Sequence, residues 1–158
     1  MNRMLKFQVL LTSLIFFIPK NAIGQITIID YTFYEVLMSH SITKVDSLIN
    51  VTSNNKTIYL GALLVKKAEL LKDPQRKLFY YKEGRNILEN EINKDPSNPE
   101  FRFIRLIIQE NAPTFLKYNK NLNEDCILIN EHYKKTTLSL QKIIKDYSKN
   151  SKIFQLHE

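Results

Sequence analysis

The chain has 158 residues, 44% of them hydrophobic, and a formal charge of +7 from 23 Lys and Arg against 16 Asp and Glu. That length holds one domain with a single core. The basic residues are spread among acids, which argues against a nucleic-acid binder; the excess charge reads as a solubility feature. A single cysteine excludes an internal disulfide, so packing must supply the stability.

Residues 1–24 have the layout of a secretory leader. Arg3 and Lys6 form a basic start, an apolar run extends from Phe7 to Ile18, and Ala22 and Gly24 are small residues before a cut. The run is shorter than the ~20 residues needed to cross a bilayer, so cleavage after Gly24 is expected. The alternative is an uncleaved amphipathic anchor. The leader carries Arg3, Lys6 and Lys20 and no acid, so its removal lowers the net charge. The expected location is periplasmic or secreted, and membrane association is not expected after cleavage. Asn50-Val51-Thr52 and Asn55-Lys56-Thr57 match the glycosylation acceptor pattern, which asparagine-rich chains also produce by chance.

The domain is expected over residues 25–149. Gln25 to Ile29 is β-branched and extended. Asp30 is placed to cap a helix through about Met38, and Ser41 a second through Asn50, followed by a polar loop from Val51 to Lys56. From Lys56 to Leu71, Leu60, Leu64, Ala68 and Leu71 recur with helical period, and Leu63, Val65 and Leu70 widen the stripe. That helix should be buried on more than one side. Lys72-Asp73-Pro74 ends it and starts the next, since Asp accepts N-cap bonds and Pro suits the first helical turn.

The following helix is expected from Pro74 to about Lys94, with Tyr81, Gly84, Leu88 and Ile92 on one face. Glycine within a helix costs about 1 kcal/mol relative to alanine; at Gly84 the compensation is close approach of a neighbouring helix. In Asp95-Pro96-Ser97-Asn98-Pro99-Glu100, Pro96 stops a helix and either Ser97 or Asn98 can cap the next. Glu100 either completes a capping box or favours the positive end of the dipole. The helix from Glu100 to Glu110 has Phe101, Ile104, Ile107 and Ile108 on one side and Arg102, Arg105 and Gln109 on the other. Pro113 to Asn121 reads as a loop. One long helix is expected from Asn123 to Ser148, with Cys126, Ile129, Tyr133, Leu140, Ile144 and Tyr147 on its apolar face. Residues 150–158 read as a frayed tail.

Only three glycines punctuate the chain and nothing after Ile29 alternates with strand period. The expected fold class is all-α, with five to six helices after the leader. Gly84, Leu88, Ile92, Pro96, Asn98 and Glu100, in the stretch from Tyr80 to Glu100, resemble the second helix and turn of a tetratricopeptide repeat. Tyr59, Gly61 and Ala62 resemble its first helix. The resemblance implies an irregular array of helical hairpins that binds a peptide or protein on a curved surface. The chain is also similar in style to small exported proteins of Bacteroidota-type bacteria, which implies a location and no activity.

No catalytic motif is recognisable. His40, His132 and His157 are dispersed, so no metal or cofactor is expected, and Cys126 lies in an apolar stripe that favours a buried hydrophobe over a reactive thiol. Cys126 and His132 fall on opposing helix faces, unsuited to nucleophilic catalysis within one helix. The candidate partner-binding residues are Arg102, Arg105, Tyr81, Phe103, Phe115 and Tyr118. Arg102 and Arg105 flank a strongly apolar helix; they either pair with Glu83, Glu91 or Glu100, are simply solvated, or clamp a carboxylate of a partner. The aromatic residues either form core or anchor a partner. The expected function is an interaction module for a protein or peptide, sited between the central hairpin and the helix from Glu100 to Glu110. The alternatives are a cell-envelope enzyme or enzyme inhibitor, or a structural subunit.

Overall fold

The computed structural model of the chain describes residues 31–52 and 57–157. The leader at 1–24, the extended stretch from Gln25 to Ile29, the Asp30 cap and most of the loop before Thr57 lie outside the described residues.

The described residues are all-α. They form α1 (31–37), α2 (Ile42–Thr52), α3 (Ile58–Leu70), α4 (Pro74–Lys94), α5 (Pro99–Asn111), α6 (Leu122–His132) and α7 (Leu138–Ser148), with 3-10 turns at Thr114–Leu116 and Tyr133–Lys135. The starts follow local chemistry. The Asp73 carboxylate accepts from the Arg76 amide at 2.7 Å, with Pro74 in the first turn. Asn98, rather than Ser97, caps α5 by accepting from the amides of Glu100 and Phe101 at 3.0 and 3.3 Å. These side chains satisfy amides that a helix start leaves without an intrahelical acceptor.

α3 and α4 form a hairpin across the short link 71–73, and they touch through their backbones. A Cβ on Gly84 would stand 2.6 Å from the Gly61 carbonyl oxygen and 2.7 Å from the Val65 amide nitrogen. A Cβ on Gly61 would meet Gly84 and Leu88 backbone atoms at 2.9 and 2.8 Å. The glycine in mid-helix therefore permits the close crossing expected of it, and Gly61 is its counterpart.

α5 runs through the middle of the molecule. Every residue from Arg102 to Gln109 is buried, so this helix has no solvated face. Its apolar side meets α1 and α3, where Tyr34 packs on Phe103 with ring centroids 5.6 Å apart. Glu100 does not build a capping box with Ser97; its carboxylate accepts from the Tyr34 and Tyr59 hydroxyls, each at 3.1 Å, tying α1 and α3 to the start of α5.

Two expectations fail toward the C-terminus. The long final helix is two, because Thr136 is extended and Thr137 caps α7 by accepting from the Leu140 amide at 3.2 Å. Residues 150–157 are packed rather than frayed. Phe154 is fully buried, and Glu110 accepts from the Tyr147 and Ser151 hydroxyls and the Lys152 amide, each at 2.7 Å. Asn130 holds the last residues through the Gln155 carbonyl and the His157 amide.

Candidate functional site

Two features stand out, a buried polar seam between α5 and α6 and an open groove beside the C-terminal turns of α5. The seam centres on Asp125, in the first turn of α6 and fully buried. Arg105 donates to it twice, from Nε to Oδ2 at 2.8 Å and from Nη2 to Oδ1 at 2.7 Å. Arg102 donates from Nη1 to Asp125 Oδ1 at 3.1 Å, pairs with Glu124 at 2.8 Å, and donates from Nε to the Pro96 carbonyl at 2.8 Å. Arg105 Nη1 continues to Glu89 of α4 at 3.0 Å, and the Tyr118 hydroxyl donates to the other oxygen of that carboxylate. Gln109 closes the far end through its amide and Asn121, at 3.3 Å in both directions.

Burial favours the neutral forms, but opposite charges at this range favour the charged ones. Burial pulls against the Arg105 guanidinium, yet its bonds to Asp125 and Glu89 hold it above the ordinary arginine range. Burial, then the Glu89 carboxylate, pushes the Tyr118 phenol up. Burial together with Asp125 and Glu110 raises the Cys126 thiol, which makes it a poorer nucleophile at neutral pH. The seam is a brace that fixes α6 and the 113–121 loop onto α4 and α5.

The groove has a volume of about 1010 Å³ and is lined from α1, α3, α4, α5, the segment 112–116, α7 and the residues after it. Its floor includes Leu37, Val65, Ile107 and Ile108. Tyr31, Met38, Leu78 and Phe115 are large apolar residues exposed to solvent, and all four line it. Such pockets for small ligands usually occupy roughly 300–1,000 Å³, which puts this one at the upper end.

The candidate residues separate between these features. Arg102, Arg105 and Tyr118 belong to the seam. The arginines pair with Asp125, Glu124 and Glu89 rather than with Glu83, Glu91 or Glu100, because their helix face packs against α6. Glu91 instead pairs with Lys94 at 2.6 Å. Phe103 is core. Phe115, 79% exposed, stands at the groove. Tyr81 links the two, lining the groove while its ring packs edge-on against Tyr118 at 6.2 Å. Sequence reasoning missed Asp125, whose signal was its spacing of four from the buried Ile129. It also missed Leu78, an apolar residue on the outward face of α4.

Among the described residues no group of three or more His, Cys, Asp and Glu is placed to hold a metal ion, and no helix is long and apolar enough to cross a membrane. No family model, curated protein or solved structure matches the chain significantly.

Proposed function

We propose that this chain is an exported helical interaction module whose groove receives an apolar segment of a protein or peptide partner, without chemistry of its own. The observation that carries the reading is the convergence of four solvent-exposed apolar side chains, Tyr31, Met38, Leu78 and Phe115, on one cavity. Exposed apolar surface gathered in one place marks interaction sites, whereas scattered single residues do not. The likeness of the α3–α4 hairpin to a tetratricopeptide unit belongs to the same proposal, as does a periplasmic or secreted location, which rests on residues 1–24. The enzyme alternative would draw on groove carboxylates, and those of Glu35, Glu69, Glu110 and Asp146 are each bonded to a neighbour in the chain.

The test is site-directed photocrosslinking in the native host. A photoreactive residue in place of Leu78 or Phe115 should yield one adduct, and the same residue in place of the solvent-exposed Leu138, outside the groove, should not. Leu78→Glu should abolish the adduct formed from position 115. Equal labelling from position 138, or none from either groove position, would overturn the reading.

A further inference from the structure

We infer that the groove's occupant is an apolar helical segment that carries a carboxylate, and that Lys77 and Lys152 receive the acid. The inference rests on the groove being the partner site. A cavity of about 1010 Å³ accommodates roughly two turns of a helix about 10 Å across. An amphipathic segment meets such a groove through residues spaced three to four apart.

Charge decides which segment fits. Four carboxylates line the groove, and this chain engages all of them. Glu35 pairs with Lys44 at 3.1 Å, Glu69 with Lys66 at 3.0 Å and Asp146 with Lys149 at 2.7 Å. Glu110 is filled by Tyr147, Ser151 and the Lys152 amide. The lining lysines are not matched in the same way. Lys66 is taken by Glu69, but the side chains of Lys77 and Lys152 have no carboxylate partner among the described residues. Lys77 enters from the first turns of α4 and Lys152 from the segment after α7. An apolar ligand with an acid meets a cation whose charge is not already balanced; a basic ligand meets carboxylates that would have to abandon their present partners. Opposed charge of this kind sets partner choice more than raw affinity.

Two synthetic amphipathic peptides, identical on the apolar face, make the test. One carries Glu at its ends and a free C-terminal carboxylate; the other carries Gln and a C-terminal amide. Fluorescence anisotropy on the protein should show the acidic peptide binding roughly threefold to tenfold more tightly, the range expected of two solvent-exposed ion pairs. Lys77→Gln with Lys152→Gln should erase that preference and leave the neutral peptide's affinity unchanged. Both lysines are exposed, so the double variant should also keep the native thermal midpoint.

Equal binding of the two peptides, with Leu78→Glu abolishing both, would sink the carboxylate inference and leave the groove reading standing. Failure of both peptides to bind would remove the two together. Binding of laurate in the groove where the acidic peptide does not bind would make the occupant a lipid-type amphiphile and overturn the proposal. So would a dimer that buries the groove and that the acidic peptide does not dissociate.

Discussion

Asp125 has no solvent exposure and faces two guanidinium groups, so its removal does more than delete one ion pair. A buried charge left without its partner loses both hydration and compensation, a cost of about 3–5 kcal/mol. Asp125→Ala should therefore lower stability by about that amount in urea titration. Glu35→Ala, which breaks the solvent-exposed pair with Lys44, should cost no more than about 1 kcal/mol. Comparable losses at the two positions would show that the seam is hydrated and not a brace. Tyr118 adds a pH dependence with a definite sign. Its phenol is surrounded by Glu89 and Arg85 of α4, Arg105 of α5 and the Tyr81 ring, and burial followed by Glu89 raises its pKa. Below about pH 10, where an unfolded tyrosine titrates, both states keep the proton and the contribution is whole. Above it the unfolded chain sheds a proton that the native state retains, so stability falls as pH rises. Tyr118→Phe should cost stability at pH 9 and close the gap to the parent by pH 11. Parallel declines over that interval would remove Tyr118 as the cause.

Among elements, the α3–α4 crossing sets how closely the hairpin can pack. The atoms that a Cβ on Gly84 would meet are mainly backbone, and backbone within helices cannot turn aside as a side-chain tip can. Overpacking costs about 1–3 kcal/mol, which exceeds the about 1 kcal/mol that alanine gains over glycine in a helix. Gly84→Ala should therefore be net destabilising in chemical denaturation, and a more stable variant would mean that the two helices slide apart at little cost. This crossing was half legible in the sequence, since a glycine in mid-helix predicts a close neighbour without naming Gly61. The starts at Asp73-Pro74 and Asn98-Pro99 were legible because capping is decided within three or four residues. The break between α6 and α7 was not. A Thr-Thr pair carries no proline or glycine signal, and an apolar stripe can continue across a break when both helices pack on the same core. The Arg102 and Arg105 partners were missed for a related reason, because Asp125 lies 23 and 20 residues away from them and only tertiary packing selects it over nearer acids. For the same reason the groove, assembled from five helices, was legible only as a neighbourhood.

For the whole molecule, the residues after α7 decide whether one wall of the groove exists. Ser151 and Lys152 line the cavity, and they are held by Glu110, which ends the central helix. Two residues further on, Phe154 is fully buried in the core. The segment is thus held by the Glu110 carboxylate, by the buried Phe154 ring and, further on, by Asn130. Phe154→Ala should cost about 3–5 kcal/mol through lost burial and the cavity left behind. Glu110→Gln should cost less, since an amide can still accept from some of the same donors, and its effect should appear in the groove. Hydrogen exchange should then show faster exchange of the Lys152 amide with the α3–α4 hairpin unchanged. If the end of the chain were only draped over the surface, Phe154→Ala would leave the urea midpoint where it was, and exchange at Lys152 would be fast in the parent protein. That result would leave the groove without its wall, and with it the position from which Lys152 meets a ligand.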